Sequence, residues 1–272
     1  MRDANMDACL EQLHAQTASA VALLQQYTEW EEGDRVLDVG CGCGEVTKYI
    51  GQQPTVASVL GIDLSPQLIN YAETTNPSPK VSYSVADITD SSTIKPKWRN
   101  YFSKAVSFSV MHWICDKSRA LNNIFSCLKP NGCFLFNCFS DSSSIVKTIR
   151  AVESDSRWRN LVKSREFTYT IYPWLENDVA GFRRFIEECG FDVEICRSRR
   201  QKVHIPREET FRVSVRPFMP HFDFIPTEFH EDVWKTAWQA VEACGRDGGK
   251  VWVTNCFEVR ARKRQFTGKL VK

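Results

Sequence analysis

No apolar run in this chain of 272 residues approaches the roughly 20 that a bilayer-spanning helix needs. The N-terminus, MRDANMDACLEQLHAQ, lacks the apolar core of a signal peptide. An excess of one charge is missing too. Lys and Arg number 35 against 33 Asp and Glu, a formal +2, which makes no case for nucleic acid or an anionic membrane as a partner. Two local basic clusters, CRSRRQK (196–202) and VRARKRQ (259–265), read as solvated strand ends. Cysteine is plentiful at eleven, but the number is odd, no CxxC occurs, and CGC (41–43) is too short for the usual zinc knuckle. The five histidines show no metal-ligand spacing. These absences predict a cytoplasmic protein with free thiols and no metal, membrane or nucleic-acid partner. With no repeat, low-complexity tract or obvious linker, the chain reads as one domain over 1–272, monomeric or homodimeric.

What is present is an alternation of strand-like and helix-like stretches. Residues 6–30 carry apolar positions at helical spacing (Leu10, Leu13, Ala20, Leu23, Leu24). RVLDVG (35–40), VASVLGIDLS (56–65), VSYSVADI (81–88), KAVSFSVMHWI (104–114) and CFLFNCFS (133–140) read as successive strands. The helix GEVTKYIGQQ follows the first. SPQLINYAETT follows the second, with Ser65 as N-cap and Pro66 at the first helical position. SRALNNIFSCLKPNG is a helix expected to stop at Pro130 and Gly132. Such alternation predicts a doubly wound, mostly parallel α/β sheet with helices on both faces. Later, a helix passes through a stop at Gly190 into a strand near 191–203, 203–245 is mostly helical, and KVWVTNCFEVRARK (250–263) alternates as a closing strand.

The first strand runs into Gly40, Gly42 and Gly44, where the backbone can turn sharply and approach a ligand that a Cβ would obstruct. The dinucleotide fingerprint is G-x-G-x-x-G with pyrophosphate at the next helix N-terminus. Here the order is G-x-G-x-G, and Glu45 would stand against a pyrophosphate, so a phosphate-free ligand suits the turn better than NAD. Asp63 ends the second strand 19 residues after Gly44, where a carboxylate can accept both hydroxyls of a ribose. Asp87 ends the third, within reach of an adenine amino group, with Ile88 to pack on the ring. Asp38, inside the first strand, needs a partner if it is buried. Each acid alone reads as a cap or turn residue; together, at successive strand ends, they point to a nucleoside.

This pattern resembles the class I S-adenosylmethionine-dependent methyltransferases. LDVGCGCG, GIDLS and VADI resemble their first three motifs, and LKPNGCFLF the segment after the fourth strand. The resemblance implies a Rossmann-like seven-stranded sheet with an antiparallel last strand, here 250–263, and S-adenosylmethionine as cofactor. It places Asp38 and Gly40 by the methionine end, Asp63 at the ribose and Asp87 at the adenine. Gly42, Gly44, Leu64, Ile88 and Ser109 complete the donor set.

At the end of the expected fourth strand stand His112 and Trp113. His112 reads equally as a general base or as a packed imidazole. An Asn/Asp-Pro-Pro-Tyr/Phe signature for adenine amines is missing. FSVMHWICDKSRALNNIFSCLKPNG, a Gln ahead of a Trp on the N-terminal helix, and the terminal DGGKVWVTNCFEVRARK resemble the juvenile hormone acid O-methyltransferases. That resemblance implies that Gln16 and Trp113 hold a substrate carboxylate. The chain departs from the family's pattern at Ser19, where an Asp is usual, and at Leu13, where an Asn is. A carboxylate, with a pKa near ~4, is already a nucleophile at neutral pH. The aromatic stretch 211–241 reads as a packed helical subdomain, and the resemblance gives part of it to the wall of an apolar pocket. The expected activity is esterification of a hydrophobic acid (juvenile hormone acid, farnesoic acid or a fatty acid), with 1–29 and 145–245 as acceptor-side cap elements. The alternatives are a small polyacid such as trans-aconitate, for which Arg212 and Arg216 are available, or a non-catalytic donor-binding protein.

Overall fold

The computed structural model describes residues 4–140, 144–163, 178–204, 208–216, 219–243 and 251–265. Seven strands form one sheet: β1 (Asp34–Val39), β2 (Val56–Asp63), β3 (Val81–Val85), β4 (Phe102–Ser107), β5 (Leu128–Phe139), β6 (Phe191–His204) and β7 (Val251–Lys263), in the order β3-β2-β1-β4-β5-β7-β6. β1 pairs in parallel with β2 and β4, β2 with β3, and β4 with β5; the last strand runs antiparallel. The central strand β1 is buried at every position but one, as a strand flanked by helices on both faces requires.

Two compact units partition the chain. The sheet unit comprises Gln16–Cys138, Asp178–Arg197 and Glu258–Lys272. Leu24 of α1 (Ala4–Tyr27), Ile50 of α2 (Glu45–Gly51) and Val36, Val56, Val59, Val106 and Leu135 of the strands form one apolar cluster there. Ser65 caps α3 (Pro66–Thr75) by accepting the Leu68 N–H, with Pro66 first in the helix as the sequence predicts. Asp116 caps α4 (Lys117–Cys127) through the Arg119 N–H. Asp178 caps α7 (Val179–Glu188), and Gly190, at φ 95, ends it.

The second unit comprises Met1–Ala15, Phe139–Asn177 and Ser198–Phe257. It is mainly helical: α5 (Ser144–Ser154), α6 (Arg159–Lys163), α8 (Glu208–Val215) and α9 (His230–Glu242). α5 packs on α9. Phe211 lies 5.1 Å from Trp238 and Phe222 4.5 Å from Trp234, ring centre to ring centre, and all four are buried. The bland expectation for 211–241 holds for these aromatics, which fill a core.

Three boundaries differ from the sequence reading. β3 ends at Val85 and β4 at Ser107, so Asp87, His112 and Trp113 all lie beyond their strands. α4 stops at Cys127, and Pro130 and Gly132 fall inside β5, where 128–133 oppose only 102–104. The three extra residues bulge outward around Asn131 at φ 63, a conformation asparagine tolerates better than most residues.

Candidate functional site

The glycine turn sits at the carboxyl end of β1. The N–H groups of Gly40 and Cys41 both donate to the Ile62 carbonyl, at 2.8 and 3.0 Å, which folds the turn over β2. All three glycines have positive φ, between 53 and 82, where residues with a Cβ are strained. Their surroundings differ. A Cβ on Gly40 would overlap the Val110 side chain and one on Gly44 the Tyr83 hydroxyl, whereas Gly42 faces open space. At 40 and 44 the space a Cβ would need is taken by protein, and at 42 it is open. Both intervening thiols are buried, and burial beside Asp38 and Asp63 pushes the Cys41 thiol far up. Cys41, Cys127, Cys133, Cys138, Cys189 and Cys196 carry free thiols.

Asp63 is fixed at the end of β2. One carboxylate oxygen accepts the Gly42 N–H at 3.0 Å and the other the Ser65 N–H at 2.9 Å. It is half-buried, while neighbouring Leu64 is 69% exposed, far more than an apolar side chain normally is. Asp87 closes a turn with Thr89, whose N–H and hydroxyl both donate to Oδ1 at 2.8 and 2.7 Å. Asp87 Oδ2 takes no hydrogen bond from the described residues. Ile88 is buried, and its carbonyl accepts from Asn123 Nδ2 at 2.8 Å.

Asp38 is buried and accepts the Thr47 hydroxyl at 2.6 Å. Burial pushes its carboxyl up to about 7 against the Thr47 hydrogen bond, and the negative Asp63 adds to the rise. A group poised there holds a proton or releases it according to what charge comes near.

After β4 the chain turns at Ser109 (φ 58), whose N–H donates to Asn137 Oδ1 at 2.7 Å. A single 3-10 turn, Met111–Trp113, follows, closed by the Trp113 N–H on the Val110 carbonyl at 2.8 Å. Trp113 is half-buried; His112 is buried, its ring 5.5 Å from the indole. Burial and the Lys117 ammonium together push the His112 imidazole down to about 3, so it is neutral at physiological pH and a weak base. Lys117, also buried, donates to the Ile114 carbonyl at 2.5 Å, and burial brings its ammonium down to about 8.

Gln16 is half-buried on α1. The next residue, Thr17, donates its hydroxyl to Glu45 at 2.6 Å, which ties this part of α1 to the first residue after the glycine turn. The side chains of Leu10 and Leu13 and residues 246–250 lie outside the described residues. In the helical unit Arg212 is held by Glu208 at 2.7 Å and Glu231 at 2.8 Å, with its guanidinium over Trp234. Arg216 pairs with Asp223 at 3.2 Å and lies over Phe222.

Several supporting residues had escaped sequence reasoning. Thr47 holds Asp38. Asn76 Nδ2 donates to the Cys43 carbonyl at 2.7 Å. The Tyr83 hydroxyl donates between the Asn76 and Gly44 carbonyls, 3.1 and 3.3 Å away. Asn137 holds Ser109. None belongs to a recognisable spacing, because each acts across the sheet or from a neighbouring helix.

The family described as "Methyltransferase domain" matches residues 37–136, the stretch from β1 through β5 that carries the glycine turn, Asp63 and Asp87. The juvenile hormone acid O-methyltransferase of Bombyx mori is 27% identical over 194 residues, covering 69% of this chain and 68% of that protein. Its Drosophila melanogaster counterpart is 23% identical over 206 residues, covering 73% and 67%. Among solved structures, a Bacillus halodurans C-125 protein described as a methyltransferase of unproven activity shares the fold. Its TM-score is 0.60 at 19% identity, covering 91% of this chain and all of that one.

Proposed function

We propose that this S-adenosylmethionine-dependent methyltransferase esterifies the carboxylate of a hydrophobic small-molecule acid, of the juvenile hormone acid, farnesoic acid or fatty-acid type. The observation that carries the reading is the turn after β4. Hydroxyl and protonated-amine acceptors need a base, and the imidazole at this turn is buried with its pKa pushed down to about 3. A carboxylate is ionised without one. Arg212 and Arg216, the cations a small polyacid would want, are committed to Glu208, Glu231 and Asp223, which favours the hydrophobic acid. The names of the two insect relatives support the reading.

The residues present fit the donor. Gly42 faces open space, the Leu64 side chain is exposed beside Asp63, and Asp87 Oδ2 takes no hydrogen bond from the described residues. We assign the ribose hydroxyls to Asp63, the adenine amino group to Asp87, the faces of the base to Leu64 and Ile88, and the methionine ammonium to Asp38. Gly40, Gly44 and Ser109 shape the backbone around them. When bound, S-adenosylmethionine supplies an electrophilic methyl on a sulfonium. The protein's share is then alignment of the carboxylate and exclusion of water. Gln16 and Trp113 hold the carboxylate through neutral N–H donors, which orient it without the tight ground-state grip of a cation. His112, a neutral imidazole, supports the indole and transfers no proton. The protein works in the cytoplasm as one functional domain, monomeric or homodimeric.

The test is labelled methyl transfer to a panel of farnesoic, juvenile hormone, medium-chain fatty and trans-aconitic acids, with phosphoethanolamine as an amine control. Transfer to the apolar acids supports the reading. Transfer to the amine or to trans-aconitate alone overturns it, and donor binding without transfer to any acid points to a non-catalytic binder.

Asp38 makes donor affinity depend on pH. Its carboxyl is raised, so below about 7 the folded protein holds a proton there that an arriving ammonium must expel. Affinity should therefore fall as the pH drops below 7, by up to tenfold per unit, and level off above it. Calorimetry from pH 5.5 to 8.5 in two buffers of different ionisation heat reads the slope and the released proton. In Asp38→Asn affinity is weaker and the slope is lost; a slope that survives the substitution assigns it elsewhere.

A further inference from the structure

The alternating SFSVMHWI favours an extended strand through residue 114, yet β4 stops at Ser107. Ser107 pairs with Phe136 in the last step of the β4–β5 ladder. The next residue on β5 is Asn137, buried at 6% exposure, and there a side chain replaces the ladder. Its Oδ1 accepts the Ser109 N–H at 2.7 Å and holds Ser109 in a left-handed turn (φ 58) that residues with a Cβ seldom adopt. Val110 then fills the space a Cβ on Gly40 would need, and its carbonyl accepts the Trp113 N–H at 2.8 Å. Asn137, Ser109, Val110, Gly40 and Trp113 thus form a connected series, from β5 to the donor turn on one side and the acceptor indole on the other.

We propose that Asn137 is a positioning residue: by holding the left-handed turn at Ser109, it seats Val110 on Gly40 and fixes the Trp113 turn relative to the donor loop. The proposal rests on the reading of Trp113 as an acceptor-side group. Without Asn137 the Ser109 N–H loses this acceptor, and the extended conformation that the residue pattern favours is less opposed. Alignment is then lost while the Asp63 and Asp87 contacts of the donor remain, so the defect falls on turnover rather than on donor affinity.

The experiment uses the full chain with Asn137→Ala, or Asn137→Leu should the alanine variant fail to fold. It measures kcat and KM for the best acid of the panel, the dissociation constant of S-adenosylhomocysteine, and amide exchange over 108–114. Expected are a kcat lower by about tenfold to a hundredfold, S-adenosylhomocysteine affinity within about threefold, and faster exchange confined to 108–114. Asn137→Asp, which keeps an acceptor oxygen, should recover most of the loss. Ser109→Gly added to Asn137→Ala should recover part, because glycine adopts this φ without strain. Wild-type kcat and exchange in Asn137→Ala overturn the proposal. Exchange raised over the whole chain with no recovery by Ser109→Gly also overturns it, leaving only a structural role. If no acid is methylated, the esterification reading fails, and exchange over 108–114 with its recovery by Ser109→Gly still decides on Asn137.

Discussion

Replacing Trp113 by alanine should lower kcat/KM for the acid by about a hundredfold to a thousandfold, the range seen when one preorganised donor to a reacting oxygen is removed. The affinity for S-adenosylmethionine should stay within about threefold, because the donor is assigned to Asp63 and Asp87, at the end of β2 and beyond β3. Trp113→Phe separates two contributions of the residue. It retains a ring beside His112, whose centre is 5.5 Å from the indole, and removes the N–H, the only polar hydrogen that indole offers. If the N–H orients the carboxylate, phenylalanine should behave nearly as alanine does; if packing dominates, it should behave nearly as tryptophan. Gln16→Ala in the Trp113→Ala background should add less than it does alone, since both are assigned to one carboxylate. Methyl transfer under single-turnover conditions, with donor affinity from calorimetry, reads all of these. Undiminished esterification by Trp113→Ala sinks the assignment.

Replacing Asp63 by alanine should weaken S-adenosylmethionine by about a hundredfold, or about 2.7 kcal/mol. Two losses combine. The ribose hydroxyls lose their acceptor, and the Gly42 and Ser65 N–H groups, now bonded at 3.0 and 2.9 Å, lose theirs. A donor left without its partner costs more than the bond contributed. Asp63→Asn keeps one acceptor oxygen but puts an NH2 toward either Gly42 or Ser65, so it should fall between alanine and wild type. The carboxyl of Asp38 should also drop below about 7 in both variants, because the charge of Asp63 contributes to raising it. The pH at which donor affinity levels off should therefore move down together with the affinity itself. If Asp63→Ala binds the donor as tightly as wild type, the ribose assignment is wrong.

Much of the sheet was legible from the chain alone, because buried strands and capped helices leave short-range marks: the apolar run before Gly40, the Ser65-Pro66 start, the Gly190 stop. The acid at 63 was legible because strand ends are; Asp87 was read as ending a strand and lies two residues beyond one. What escaped is what one part of the chain does to another. The pattern of 104–114 is strand-like to its end, yet the strand stops at Ser107 and Asn137, 28 residues on from Ser109, takes the Ser109 N–H. Thr47 looks like any threonine in a helix until Asp38 is seen beneath it. Pro130 and Gly132 are ordinary helix-stop residues, yet the helix was already finished and they shape a bulge instead. Gln16 and Trp113 came from resemblance, and the structure adds the Thr17–Glu45 tie and the Val110–Trp113 turn that hold their elements.

Val110 beneath Gly40 and Tyr83 beneath Gly44 also bear on descent. In a lineage that stopped using the donor, these two glycines would still be kept by selection for a folded core, since any larger residue collides with protein. Gly42, with open space before it, would be held only by its positive φ, and would drift first toward residues such as asparagine that tolerate that conformation. Two-thirds of the signature that marks such turns can outlive the chemistry, and position 42 is where a retired copy of this protein would first betray itself.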